Sequence, residues 1–186
     1  MPTFVALLRG INLAGRNKVP MPALRSLVEG LGYNDVTTYI QSGNVVLTST
    51  DGAAKVGAAM RKAISKEFGI DVAVVVRSRQ QLKAVVDGNP FLRKGTDPAT
   101  LHVVFLADKP KADKVKALTA GDWGTDEVAV KGTEAYLNLP NGYGRAKLNN
   151  MVVEKQLGVA GTTRNWRTTE KLLELVSSGR ARERTS

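Results

Sequence analysis

The chain predicts an α+β protein, and three observations carry that prediction. Short β-branched runs alternate with stretches whose apolar residues recur at helical spacing. Glycine or proline stands at most of the boundaries between them. The order of the elements comes round twice, although the residues themselves do not repeat. That order, β-α-β-β-α-β, is the ferredoxin-like one. Two such halves in tandem are expected, the second ending in an extra helix instead of a clear final strand. The expected segments are 1–77 for the first half, 78–100 for a connecting helix and loop, 101–178 for the second half, and 179–186 for a basic flexible tail.

In the first half, Thr3 to Leu8 reads as a buried strand. Pro20 and Pro22 suit a helix start, because the first turn needs no donor from proline. Leu24, Leu27, Val28 and Leu31 make one apolar stripe, which Gly32 can end. Val36 to Ile40 and Asn44 to Thr48 read as strands joined by a tight hairpin at Ser42-Gly43. Asp51-Gly52 opens a second helix, with Val56, Met60, Ile64 and Phe68 a turn apart and Gly69 at its end. Val72 to Val76 is almost wholly β-branched and reads as a strand. A helix over 78–87 stops at Gly88-Asn89-Pro90. In the second half, Leu101 to Ala107 reads as a strand, and Pro110 starts a helix that ends near Thr119. Glu127 to Val130 and Ala135 to Leu139 pair around Lys131-Gly132-Thr133. After a loop from Pro140 to Gly144, a helix is expected over Ala146 to Leu157. The stretch Gly161 to Arg167 stands where a closing strand would be, ahead of a helix bearing Thr169, Leu172, Leu173 and Val176.

With 186 residues, 42% of them hydrophobic and 24% charged, the chain can bury a sizeable core. No apolar run approaches the ~18 residues that span a bilayer, and Phe4 to Leu8 is too short for a signal peptide. A cytoplasmic protein with no membrane partner is therefore expected. The absence of cysteine excludes disulfides, thiolate nucleophiles and thiolate metal ligands. Lys and Arg number 27 against 17 acidic residues, a net charge of +10. The excess sits in the first 77 residues and beyond residue 140, a balance that points to nucleic acid or another polyanion. The segment Arg180 to Ser186 lies past Gly179, which reads as a helix stop.

Gly10 and Gly15 have the spacing of a phosphate-binding P-loop, but Arg16-Asn17 replaces its Lys-Ser/Thr pair and the helix waits until Pro20. It is not a P-loop, which leaves a glycine-permissive exit loop or a weaker anion site built from Arg9 and loop amides. In a β-α-β-β-α-β sheet the first loop and the hairpin lie at one end. Arg9, Asn12, Arg16 and Asn17 should therefore gather with Gln41, Ser42 and Asn44. His102 is the only histidine. It sits in an apolar strand and reads as a packed or hydrogen-bonded residue. No histidine pair or carboxylate cluster has metal-binding spacing, so no metal is expected. The central strands offer Phe4 and otherwise aliphatics, which argues against an RNA-binding sheet face. Arg164-Asn165-Trp166-Arg167 is the other cluster, with Trp166 as a core anchor, Thr168 as a helix cap, and arginines able to hold an anion or stack on a base.

The phrases Ala6-Leu-Leu-Arg-Gly-Ile-Asn12, Asn17-Lys-Val-Pro-Met21, Tyr39-Ile-Gln-Ser-Gly-Asn-Val45, Asn89-Pro-Phe91, Leu101-His-Val103 and Thr163-Arg-Asn-Trp166 resemble the bacterial family called domain of unknown function 1697. The resemblance runs from residue 3 to about 176. It implies an α+β fold of two similar halves and no established activity. Where that family usually has Ser-Lys-Leu, this chain has Ala146-Lys147-Leu148. No catalytic weight falls there, and Lys147 remains as a cation near Arg145.

The leading expectation is a protein that binds an anionic ligand, nucleic acid or a nucleotide, through loop residues and basic ends and with no cofactor. Its ligand-binding residues would be Arg9, Asn12, Arg16, Gln41, Ser42, Asn44, Lys147, Arg164, Asn165 and Trp166. One alternative is a small metal-independent enzyme acting on a phosphorylated or carboxylated metabolite, with Arg9 or Arg164 on the anion and His102 or Tyr39 moving a proton. A protein–protein adaptor is the other.

Overall fold

Both expected sheets form in the computed structural model, which describes residues 1–183. The chain divides into two units, Met1–Ala84 with the segment from Lys171, and Val85–Glu170. In the first unit, β1 (Thr3–Leu8), α1 (Met21–Gly30), β2 (Asn34–Tyr39), β3 (Asn44–Thr48), α2 (Ala53–Phe68) and β4 (Val74–Ser78) follow one another. Their strands form an antiparallel sheet of order β2-β3-β1-β4. Every residue of β1 is buried, which explains why it reads as an unbroken apolar run rather than an alternation. Ala6, Leu8, Val45 and Leu47 share a core with Leu24 and Val28 of α1 and with Val56, Met60 and Ile64 of α2. The apolar stripes read at helical spacing are thus the faces that meet the sheet.

The second unit repeats the plan. After α3 (Arg79–Asp87) come β5 (Leu101–Leu106), α4 (Ala112–Ala120), β6 (Glu127–Lys131), β7 (Glu134–Asn138), α5 (Asn150–Leu157) and β8 (Gly161–Asn165), with strand order β6-β7-β5-β8. Val104, Leu106 and Leu137 pack with Leu118 of α4 and with Val153 and Leu157 of α5. The duplication extends to single residues. Val5 pairs with Arg77 across β1 and β4, and Val103 pairs with Arg164 across β5 and β8. Both arginines are buried, and each donates from Nη1 to the preceding carbonyl, Val76 O at 3.1 Å and Thr163 O at 3.0 Å.

Four expectations need correction. A closing strand does exist in the second half. β8 pairs with β5 along its length, although Gly-Thr-Thr-Arg-Asn lacks the apolar alternation that announces a strand. Gly161 starts it because a Cβ there would lie 2.9 Å from Val104 Cγ1 and 3.1 Å from Leu106 Cδ2. The helix expected from Ala146 begins only at Asn150. Tyr143–Arg145 is a 3-10 turn, the Lys147 and Leu148 amides donate to Asp126 Oδ2, and Asn149 caps α5 by accepting from Val152 N at 3.0 Å. The last helix, α6 (Trp166–Glu183), begins before Thr168, and its cap is Asn165, whose Oδ1 accepts from Thr168 N at 2.8 Å. Gly179 does not end α6, which runs to Glu183; residues 184–186 of the expected tail lie outside the described residues. No described helix is long and apolar enough to cross a membrane.

Candidate functional site

At one end of the first sheet the loop after β1 meets the β2–β3 hairpin, as the element order requires. Leu8 N donates to Gly43 O at 2.9 Å, and Asn12 Nδ2 donates to Gln41 O at 2.7 Å. Asn12 also exchanges bonds with the main chain of Val19, at 3.0 Å from its Nδ2 to the carbonyl and 2.8 Å from the amide to its Oδ1. Asn17 Nδ2 reaches Gly10 O at 2.9 Å. Asn44 is fully buried and donates to Tyr39 O at 2.8 Å and Ser42 Oγ at 3.0 Å. Asn12 and Asn44 are therefore spent on the protein's own groups, Asn12 stapling the hairpin to the loop and Asn44 bracing the hairpin from within. Gln41 and Arg16 are exposed, while Arg9 and Ser42 are half-buried. The hairpin turn is not the tight pair expected, but the four residues Ile40 to Gly43, with positive φ at Ile40 and Gly43.

The remaining sequence-predicted residues lie in the second unit, where they separate. Lys147 is exposed. Arg164 is buried and bonded to Thr162 Oγ1 at 2.7 Å, and loss of solvation draws its guanidinium down to about 10, still charged at neutral pH. Asn165 and Trp166 line a cavity of about 480 Å³ together with Pro98, Ala99, His102, Tyr143, Arg167 and Glu170. The antiparallel register assembles it, because the start of β5, the chain beyond β7 and the end of β8 share one end of the sheet.

His102 and Tyr143 form a tilted ring pair with centroids 5.2 Å apart. The Tyr143 hydroxyl accepts from Asn150 N at 2.9 Å, which fixes that ring from behind. His102 Nδ1 lies 3.4 Å from Thr100 O, and burial holds the imidazole below its ordinary pKa, so it is neutral at pH 7. Trp166 is 1% exposed, and its Nε1–H has no acceptor. Arg167 is exposed on the first turn of α6, whose N-terminal amides carry partial positive charge, and Glu170 is exposed on the next turn. No group of three His, Cys, Asp or Glu among the described residues could hold a metal ion.

Asn165, Trp166 and Arg167 are expected from the sequence, as is His102, as a packed strand residue or, in the enzyme alternative, a proton carrier; Tyr143 and Glu170 are not among the expected site residues. The one available signal was that a histidine and a tyrosine flank opposite ends of paired strands, which matters only once the register is known.

A family model described as "Protein of unknown function (DUF1697)" matches residues 1–136. The solved structure of the conserved bacterial protein SP0830 from Streptococcus pneumoniae is similar to this chain at 22% identity. The likeness covers 94% of this chain and 98% of that one, with a TM-score of 0.73, and shows a shared fold. No curated protein matches the chain.

Proposed function

We propose that the chain, which belongs to the DUF1697 family of proteins of unknown function, binds an anionic ligand with a planar ring, of the size of a mononucleotide, in the cavity of its second unit. The observation that carries this reading is the cavity itself, where the His102–Tyr143 ring pair and the Arg167 guanidinium share one lining with Asn165 and Trp166. The His102–Tyr143 pair offers a face for a planar ring. Arg167 and the α6 amides favour a phosphate or carboxylate. Cavities of roughly 300–1,000 Å³ are the usual size for small-molecule sites.

Tryptophan emission tests this directly, because the chain has only Trp123 and Trp166. In a Trp123→Phe background, a panel of nucleoside monophosphates should change the Trp166 signal saturably, and Arg167→Ala should weaken the response. A flat signal with every member of the panel, or unchanged affinity in Arg167→Ala, rejects the reading. The absorbance ratio at 260 and 280 nm of freshly purified protein, with mass spectrometry of what denaturation releases, would identify a ligand that copurifies.

A second reading is favoured by His102 alone. A neutral imidazole lining the cavity can accept a proton, so the site also suits an enzyme acting on a phosphorylated or carboxylated metabolite. Conversion of a bound candidate, lost in His102→Gln at unchanged Tm, would favour catalysis over binding.

A further inference from the structure

We infer that the stapled end of the first sheet is a contact surface for duplex nucleic acid, entering the minor groove with Leu13 and Ile40. The inference is independent of the cavity reading and rests on three features of that end.

The first is what it exposes. Its polar asparagines are spent internally, while Leu13 is 61% exposed and Ile40 48% exposed. The second is rigidity. Leu13 opens a turn closed by Arg16 N donating to Leu13 O at 2.8 Å, and Asn12 ties that loop to the hairpin carrying Ile40. Ile40 has φ +50°, a left-handed conformation that is a genuine outlier for a β-branched residue. The fold thus holds two aliphatic side chains outward at a cost in strain. The third is charge. Arg16 and Lys18 are exposed on the loop, Arg25 beyond them is paired with Glu29 at 2.9 Å, and 36–50 contain no charge at all. Asp71, on the connection from α2 to β4, is held by Arg61 at 2.6 Å.

Aliphatic wedges flanked by Arg and Lys are the equipment of minor-groove binders, which slip an apolar side chain between base steps while cations meet the phosphates. The aromatic ring at the tip, Tyr39 beside Ile40, is half-buried, so the duplex suits it better than a single strand. The net charge of +10 is of the sign that such an encounter requires.

Fluorescence anisotropy with a fluorescein-labelled AT-rich duplex, using the full chain at several salt concentrations, provides the test. The double variant Leu13→Ala/Ile40→Gly should bind the duplex about tenfold or more weakly. It should remain folded with an undiminished Tm, because glycine accepts the left-handed position without strain. Arg16→Ala and Lys18→Ala should each flatten the dependence of log Kd on log salt by about 0.9. Arg167→Ala, in the cavity, should leave duplex affinity unchanged. The inference is overturned if the folded double variant binds the duplex normally, if the same-length single strand binds more tightly, or if the protein ignores the duplex and sediments with phosphatidylserine vesicles.

Discussion

An added Cβ at Gly43 would lie 2.6 Å from Ile11 Cδ1 and 2.9 Å from Leu8 Cβ, and the residue already sits at φ +82°. Gly43→Ala therefore meets both a steric and a conformational penalty, expected at about 2–4 kcal/mol and measurable as a fall in the urea midpoint. An unchanged midpoint would mean that loop and hairpin separate more freely than the staple implies. His102 makes a different prediction. Its folded pKa lies below the ordinary 6.5, with desolvation as the larger cause and the Thr100 carbonyl opposing it. The unfolded chain then binds more protons across that window, so this residue's stability contribution is complete above pH about 6.5 and is lost as pH falls through the depressed value. His102→Gln should flatten the acid limb of Tm against pH below neutrality; an identical limb would show that the imidazole is solvated. The meeting of Asn12 with Gln41 is legible from element order alone. Trp166's orphaned N–H is not, because it is defined by what surrounds it in space rather than in sequence.

Elements with a strong apolar period, α1 and α2 above all, sit within a residue or two of where the sequence puts them. Those whose ends depend on polar side chains do not. Asn149 and Asn165 cap α5 and α6, but asparagine serves loops as readily as caps, so the spacing did not single them out. β8 escaped because its pattern is set by what it must fit against: a glycine over Val104 and Leu106, then a buried threonine and arginine that find their own hydrogen bonds. Gly161→Ala isolates that fit, since no unusual φ is involved. It should destabilise by about 1–3 kcal/mol through overpacking alone. Chemical denaturation with near-native far-ultraviolet circular dichroism would confirm a packing effect, and a neutral substitution would show that the β5–β8 contact is loose.

Across the whole chain, the order of elements was enough to give the duplication, whereas the cavity was out of reach because its lining comes from three separated stretches that no spacing rule connects. The duplicated sheets have one further consequence, in time rather than in space. β1 lies between β3 and β4, and β5 lies between β7 and β8, so the amides of each central strand are bonded on both sides. Releasing either strand means opening two ladders at once, whereas β2 and β6 stand at edges and can fray alone. In deuterium-exchange mass spectrometry, peptides covering the interior strands, 3–8 and 101–106 together with 44–48 and 134–138, should therefore take up label after those covering the edge strands, 34–39 and 127–131 among them. Early labelling of either central peptide would reveal a half that opens without the rest of its sheet. The clock that matters for this molecule is thus kept by the interior strands of each sheet, every one protected from exchange until both of its neighbours let go.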